Sequence, residues 1–210
     1  MTKIILIRHG ESLGNVKKIF LGHTDWDLTE TGYEQAKRMA EYIDNYDIDV
    51  IYASDLKRAY NTANEVAKRR NMDIIKTEKF REIFAGEWEG KSYAELDEKY
   101  PETRKCWVED VGNAVCDGGE SVRELQERVV NEFYRIAEEN KGKTILIGTH
   151  ATPIRMIKCH VLGKKTEDAK DISWSPNASA TIIDVEKNEI ILDGYTEYLG
   201  DLLVNPSAKM

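Results

Sequence analysis

Short runs of apolar residues alternate along the chain with longer stretches in which apolar residues recur every three or four positions. The short runs, rich in β-branched residues, are typical of buried strands, and the longer stretches are typical of helices that bury one face. The runs that predict strands span residues 3–7, 49–53, 73–77, 144–148, 180–185 and 190–195. The last two runs flank four polar residues, which predicts a terminal hairpin.

Polar residues that favour helix starts precede the stretches of helical periodicity. Thr29 stands before a pattern that continues to Ile43, and Ser54 stands before another amphipathic stretch. Ser121 and Glu124 have the spacing of a capping box, in which two side chains satisfy free backbone amides. Strands that alternate with helices in this way predict an α/β fold with a mostly parallel central sheet and helices on both faces.

The regular alternation is interrupted between about residues 83 and 120, where glycines, aromatic residues and Pro101 separate short helical pieces. We interpret this stretch as a small helical and loop insert that covers the carboxyl edge of the sheet. Length indicates a single domain over residues 1–210, and we expect the residues after Leu203 to be loosely held.

Overall charge and cysteine content exclude several broad classes of function. A formal net charge of −8 over 210 residues argues against general binding to nucleic acids or to anionic membranes. The three cysteines are odd in number and show no CxxC spacing, so we expect reduced thiols and no zinc site. No apolar run is long enough for a signal peptide or a membrane span, and a cytoplasmic location is expected.

Four cationic or titratable side chains follow predicted elements at positions that bring them to one edge of the sheet. They are, in chain order, Arg8, His9, Arg58 and His150. The carboxyl ends of parallel strands meet at the same edge, where open α/β sheets bind ligands. Arginines held close together suit a multiply charged anion such as a phosphoryl group. Alternatively, each charged side chain could simply face water. The sequence contains no GxxxxGK loop, so a P-loop nucleotide site is not expected.

A longer series of motifs surrounds these positions and covers nearly the whole chain in order. They are Leu6-Ile7-Arg8-His9-Gly10-Glu11-Ser12 with Asn15, Gly22, Leu28-Thr29-x-x-Gly32-x-x-Gln35-Ala36, Ser54-Asp55-Leu56-x-Arg58-Ala59-x-x-Thr62-Ala63, Arg81-Glu82-Ile83, Gly86-x-Trp88-Glu89-Gly90 and Gly119-Glu120-Ser121. Together they resemble the phosphatase branch of the histidine phosphatase superfamily, the phosphoglycerate-mutase-like fold. The resemblance implies an enzyme that acts on small phosphomonoesters and needs neither a metal nor a cofactor.

The resemblance also assigns a role to each candidate residue. It implies that His9 is the nucleophile that becomes phosphorylated and that Glu82 donates and accepts protons. It places Arg8, Arg58 and His150 around the phosphoryl oxygens. The residues that it predicts to bind substrate are Ser12, Asn15, Gly22 and Ala151.

The roles of Glu82 and Ala151 are the ones that residue type supports least. Residue type alone does not distinguish Glu82 from Glu87 or Glu89, and proton transfer near neutral pH favours a carboxyl buried under the insert. The family usually has glycine where this chain has Ala151, so alanine would strain the site if it required the backbone angles of glycine.

The stretch between Ile83 and Glu120 bears on the choice between a phosphatase and a mutase. It carries four basic and ten acidic residues, a net charge of −6, although these acids could simply face solvent. An acidic, aromatic insert over the active site suits one phosphate on a less charged body, which favours a phosphomonoester hydrolase. Its substrates could be broad in range or centre on α-ribazole phosphate. The alternatives are a cofactor-dependent phosphoglycerate mutase and a non-catalytic phosphate-binding module, and the oligomeric state is left open.

Overall fold

The computed structural model describes residues 1–203, in which six strands form one sheet. The strands are β1 (Lys3–Arg8), β2 (Val50–Ala53), β3 (Ile74–Lys76), β4 (Thr144–Thr149), β5 (Ala180–Asp184) and β6 (Glu189–Tyr195). Their order across the sheet is β3-β2-β4-β1-β5-β6; neighbours among β1 to β4 are parallel, and β5 is antiparallel to both β1 and β6. The predicted sheet and terminal hairpin are confirmed, whereas the predicted loose tail after Leu203 lies outside the described residues.

Helices cover both faces of this sheet, as predicted. They are α1 (Leu13–Lys17), α2 (Glu30–Ile43), α3 (Lys57–Arg70), α4 (Tyr93–Lys99), α5 (Pro101–Glu109), α6 (Val122–Glu139) and α7 (Ala151–Val161). Successive side chains of a strand point to opposite faces. In β1, Ile5 belongs to the apolar cluster that includes Met39 of α2, whereas Ile4 belongs to the cluster that includes Phe133 of α6. The two layers of helices are thus fixed by the pleat of the buried strands.

Two of the three predicted helix starts are confirmed. Thr29 and Ser121 are the N-caps of α2 and α6, and each side chain accepts a hydrogen bond from a backbone amide of the first turn. The prediction that Ser54 caps α3 is wrong, because the N-cap is Leu56, whose side chain makes no capping hydrogen bond, and the amide of Lys57 donates instead to the carboxylate of Asp25 at 2.7 Å. Ser54 is buried just after β2, where its hydroxyl forms a hydrogen bond with His150.

Residues 83–120 contain α4, α5 and two single-turn 3-10 segments, Gly86–Trp88 and Val111–Asn113. Tyr93 and Trp107 from this stretch line a pocket together with Arg8 at the end of β1. The boundaries of an insert and the single-domain organisation stay predictions. Within residues 1–203, no helix combines the length and the apolar character that a membrane crossing requires.

Candidate active site

The two predicted histidines meet because their strands are neighbours. In the parallel pairing of β1 with β4, Arg8 lies opposite Thr149, so the residues that follow, His9 and His150, lie side by side. The backbone amide of His9 donates to the carbonyl of Thr149 at 3.1 Å. The two buried imidazole rings meet edge to face, with their centroids 5.3 Å apart. Two positions far apart in sequence therefore form one cluster at the carboxyl edge.

The ring of His9 is oriented by the backbone of its own loop. Its Nδ1 lies 2.7 Å from the carbonyl oxygen of Gly10, and because a carbonyl only accepts, Nδ1 carries the proton. Nε2 keeps its lone pair. Burial, followed by the charges of Arg58 and Arg8, holds the pKa of His9 well below its ordinary value of 6.5. The imidazole is therefore neutral near pH 7, as an attacking nitrogen must be.

His150 adjoins His9 and is not among the residues that line the pocket. It is the N-cap residue of α7, and its Nε2 forms a hydrogen bond with Ser54 Oγ at 2.9 Å. Burial, followed by the charge of Arg58, holds the pKa of His150 well below its ordinary value. Its Nδ1 is buried without a hydrogen-bond partner in the described part of the chain. Buried nitrogens are normally paired, so this atom is a candidate contact for a ligand oxygen.

Arg8 and Arg58 are buried guanidinium groups, and neither forms a salt bridge with the carboxylates of residues 1–203. Carbonyl oxygens orient them: Arg8 Nη1 donates to Ser175 at 2.6 Å. Arg58 donates to Gly22 at 2.7 Å and to Thr24 at 2.9 Å. Burial lowers the pKa of each arginine to about 10, so both stay charged at neutral pH. Two buried cations without carboxylate partners make this pocket suited to an anion.

The four residues predicted to bind substrate, Ser12, Asn15, Gly22 and Ala151, all line this pocket. The side-chain oxygen of Asn15 accepts from the amide of Ser12 at 3.0 Å and from its hydroxyl at 2.9 Å, which leaves Asn15 Nδ2 to donate to a ligand. Gly22 has a φ of 51°, where a side chain would also lie 2.2 Å from the Glu89 carboxylate. Ala151 begins α7 without a positive φ, so the strain considered for alanine does not arise.

Glu82 faces the same pocket and is oriented by two backbone amides. Its Oε1 accepts from the amide of Ile83 at 2.9 Å and its Oε2 from the amide of Thr152 at 3.3 Å. The side chain is only partly buried, which is less than expected for a carboxyl beneath an insert. The two alternatives that residue type left open are engaged elsewhere, since Glu89 accepts from backbone amides and Glu87 from a tyrosine hydroxyl. Geometry thus singles out Glu82 as the carboxyl of the pocket.

Apolar and aromatic side chains form most of the remaining wall. They are Ile19, Phe20, Leu21, Tyr93, Trp107 and Trp174. Among the described residues, none of the ten acids between Ile83 and Glu120 lines the pocket; some instead cap a helix, as Glu95 does, or pair with an arginine, as Glu120 does. The acids of this stretch are therefore absent from the pocket wall, whereas two of its aromatic rings, Tyr93 and Trp107, form part of it.

Residues with no role predicted from the sequence hold the site together. Thr62 Oγ1 accepts from the amide of Gly10 at 3.0 Å and donates to the carbonyl of Arg58 at 2.7 Å. Asn177 donates to the carbonyl of His9 at 3.1 Å. Two sequence signals could have identified Thr62: it belongs to the family motif quoted above, and it lies among the buried residues of α3.

The loop that carries His9 lies against the start of α2 with no space for a side chain between them. A Cβ atom at Gly10 would lie 2.4 Å from the carbonyl oxygen of Gly32. One at Gly32 would lie 2.0 Å from the carbonyl oxygen of Glu11. Real Cβ atoms do not approach oxygens this closely, so this contact requires glycine on both sides.

Known proteins resemble this chain in sequence and in fold. The sequence model of one protein family, the histidine phosphatase superfamily (branch 1), matches residues 4–197 of the chain. Phosphoserine phosphatase 1 of Hydrogenobacter thermophilus is 36% identical over 211 residues, which cover 97% of this chain and 97% of that protein. The adenosylcobalamin/alpha-ribazole phosphatase of Escherichia coli is 27% identical over 79% of this chain and 81% of its own length.

A solved structure resembles the whole of the fold described above. It is a mutant phosphoserine phosphatase from Entamoeba histolytica in complex with phosphoserine, and it superposes with a TM-score of 0.84 at 26% identity. The match covers 95% of this chain and 100% of that one. The chain therefore belongs to branch 1 of the histidine phosphatase superfamily and is a phosphatase of that family.

Proposed function

We propose that the chain hydrolyses small phosphomonoesters through a phosphohistidine formed on His9. The observation that carries this proposal is a buried, neutral imidazole with a free Nε2, in a pocket that it shares with two guanidinium groups that form no salt bridge within residues 1–203. Neutral imidazole is the nucleophilic form, and preformed cations offset the charge that develops on a transferring phosphoryl group.

The proposed reaction has two steps that balance in protons. First, Nε2 of His9 forms a bond to phosphorus while the ester P–O bond breaks, and Glu82 gives its proton to the leaving alkoxide. Second, Glu82 takes a proton from water, whose oxygen attacks phosphorus and displaces the histidine nitrogen as inorganic phosphate forms. Arg8 and Arg58, with Asn15 beside them, hold the phosphoryl oxygens in both steps.

The composition of the pocket supports hydrolysis over mutase activity. Its cationic lining within the described residues consists of Arg8 and Arg58, and most of the remaining wall is apolar. A bisphosphorylated acid that reorients within the site would need further cations for its second phosphate. One phosphate on a body with an apolar surface fits this wall better.

Phosphoserine and α-ribazole phosphate are the first substrates to test. The support is the similarity to phosphatases named for these compounds, of which the phosphoserine phosphatase aligns over nearly the whole chain. The apolar wall by itself favours esters with an apolar body, which phosphoserine lacks, so a broad range of phosphomonoesters belongs in the same test. Initial rates over a panel of these esters, with isomerisation of 3-phosphoglycerate measured in parallel, rank the candidates. Faster isomerisation than hydrolysis would favour the mutase.

Replacing the nucleophile tests the mechanism. We expect His9→Ala to abolish both the turnover of p-nitrophenyl phosphate and an acid-labile phosphoprotein, because the nitrogen that accepts the phosphoryl group is gone. His160→Ala removes an exposed histidine and serves as the matched control with full activity. Turnover is expected to persist in chelator. A wild-type protein that binds phosphate without turnover would instead indicate a non-catalytic binding module.

A further inference from the structure

The loop that precedes β5 lies directly against the nucleophile loop. Within it, Ser175 offers its carbonyl to Arg8, and the backbone amide of Ala178 donates to the carbonyl of His9 at 3.0 Å. The partly buried side chain of Asn177 lies between these two contacts in sequence. Two residues proposed to act on the phosphoryl group therefore depend on this loop for their placement.

The amide group of Asn177 is directed at three oxygen atoms. Its Nδ2 lies 3.1 Å from the carbonyl oxygen of His9, 3.2 Å from that of Gly10 and 3.2 Å from Oδ1 of Asn15. Carbonyl oxygens only accept, so the nitrogen and not the oxygen of Asn177 must face them. An aspartate of the same shape would lose these bonds.

Two of these bonds act on atoms that matter for phosphoryl transfer. The carbonyl of Gly10 that accepts from Asn177 also accepts from Nδ1 of His9, and that bond keeps the lone pair on Nε2. The Gly10 peptide is fixed on its other side by Thr62, which accepts from its amide. The bond to Asn15 Oδ1 adds to those from Ser12 and keeps the Nδ2 of Asn15 free for a ligand.

We infer that Asn177 is a positioning residue that fixes both the tautomer of His9 and the amide orientation of Asn15. The inference rests on the proposed function of His9 as the nucleophile. Asn177 does not line the pocket and acts through its two neighbours. Supporting groups that orient a reactive residue commonly decide how much of its reactivity is realised.

Two variants of Asn177 test this role. Asn177→Ala removes the donor, and we expect kcat for p-nitrophenyl phosphate to fall about 10-fold to 100-fold because the imidazole is no longer held in one geometry. Asn177→Asp places a carboxylate beside the carbonyl to which His9 donates. We expect a similar fall in kcat, together with a shift of the acid limb of the kcat/KM profile to higher pH, since a nearby anion favours imidazolium.

The charged and titratable groups already around His9 are Arg8, Arg58, Glu82 and His150, and both variants leave them in place. Asn45→Asp is the matched control, because Asn45 is exposed after α2 and its Nδ2 also donates to a backbone carbonyl. This control should keep the wild-type kcat and pH profile. The amplitude of the urea unfolding transition measures the folded fraction of each variant and corrects every rate for misfolded protein.

The outcomes separate the two proposals. Corrected kcat values within twofold of wild type for both variants, or an unmoved acid limb in Asn177→Asp, would overturn the positioning role and leave the proposed function intact. A wild-type protein that turns over phosphomonoesters without a phosphohistidine would overturn both. A merely structural role predicts a smaller folded fraction with an unchanged kcat per folded molecule, and this result also counts against the inference.

Discussion

Single residues determine the protonation state on which the site depends. His9 and His150 are buried beside arginines, and both imidazoles are held neutral by that surrounding. The same surrounding that keeps the nucleophile reactive makes protonation of either ring unfavourable in the folded protein. Acid should therefore act on stability as well as on catalysis.

We expect stability to fall as the pH drops below about 6.5, where the imidazoles of the unfolded chain take up protons. The pKa values of His9 and His150 are lowered by folding, so their contribution is complete above that pH and is lost below it. Each ring contributes up to about 1.4 kcal/mol per pH unit. Urea unfolding at a series of pH values gives the free energy of unfolding as a function of pH. Below pH 6.5 this free energy should change less steeply with pH in His150→Gln than in the wild type. Equal slopes would contradict this origin, and His160→Gln should match wild type.

Glu82→Gln should slow the hydrolysis of alkyl phosphates far more than that of p-nitrophenyl phosphate. Glutamine cannot supply a proton, and an alkoxide needs one to leave whereas p-nitrophenolate does not. Ratios of kcat/KM for the two ester types, compared between variant and wild type, measure the effect. Glu87→Gln, which alters an exposed carboxyl outside the pocket, provides the control. Equal losses with both ester types would remove Glu82 as the proton donor.

Sequence reasoning identified the residues that bear charge in the pocket but not those that support them. Arg8, His9 and Arg58 carry unusual chemistry at strand and helix ends, which is visible in a sequence. Asn177 is a polar residue 168 positions from the backbone oxygen that it contacts, and no local pattern encodes such a pairing. The choice of Glu82 over Glu87 and Glu89 came from the family resemblance and not from residue type, and the pocket lining agrees with it.

At the scale of elements, all six strands were predictable from their apolar runs, whereas helix starts were predictable only where a capping residue precedes a long amphipathic pattern. β1 and β4 are short apolar runs, and the structure places both in the centre of the sheet. Helix α1 was not recognised because its five residues are too few for an apolar pattern. Its start is fixed by the side chains of Ser12 and Asn15. Ser54 has the residue type of a cap, yet tertiary contact with His150 directs it elsewhere.

Ser54→Ala should therefore reduce both stability and kcat. The change leaves Nε2 of His150 buried without a partner, which costs roughly 1–3 kcal/mol, and frees a ring that contacts the nucleophile. Ser121→Ala removes a true N-cap from α6 and should cost about 1 kcal/mol with unchanged kcat. Denaturant unfolding and steady-state rates on both variants make the comparison. A kcat loss shared by both would show a general effect of destabilisation.

At the scale of the whole molecule, the overall charge is a poor guide to the site. The chain has a net charge of −8, yet its pocket presents two buried guanidinium groups without carboxylate partners among the described residues. A bound anion should offset these charges and stabilise the entire fold, since binding to the native state alone shifts the unfolding equilibrium.

Inorganic phosphate should accordingly raise the melting temperature. The gain is about 2.7 kcal/mol when phosphate is present at about 100 times its dissociation constant. Thermal melts in phosphate and in chloride of matched ionic strength measure the shift, and Arg58→Gln should lose most of it. Arg123→Gln changes an exposed arginine and should keep the full shift. A shift of equal size in Arg58→Gln would place the anion elsewhere.

The contact between Gly10 and Gly32 has a consequence for how a phosphate ester arrives. The two backbones are in direct contact. Hydrogen bonds from the amide of Thr29 to the carbonyl of Glu11 and from the amide of Glu11 to the side chain of Gln35 hold them together. The loop that carries the nucleophile is thus held against the start of α2. We expect adjustment to esters of different bulk to occur at the aromatic part of the pocket wall. Variation in leaving-group preference is expected to arise from changes in that part of the wall, with the phosphoryl geometry unaltered.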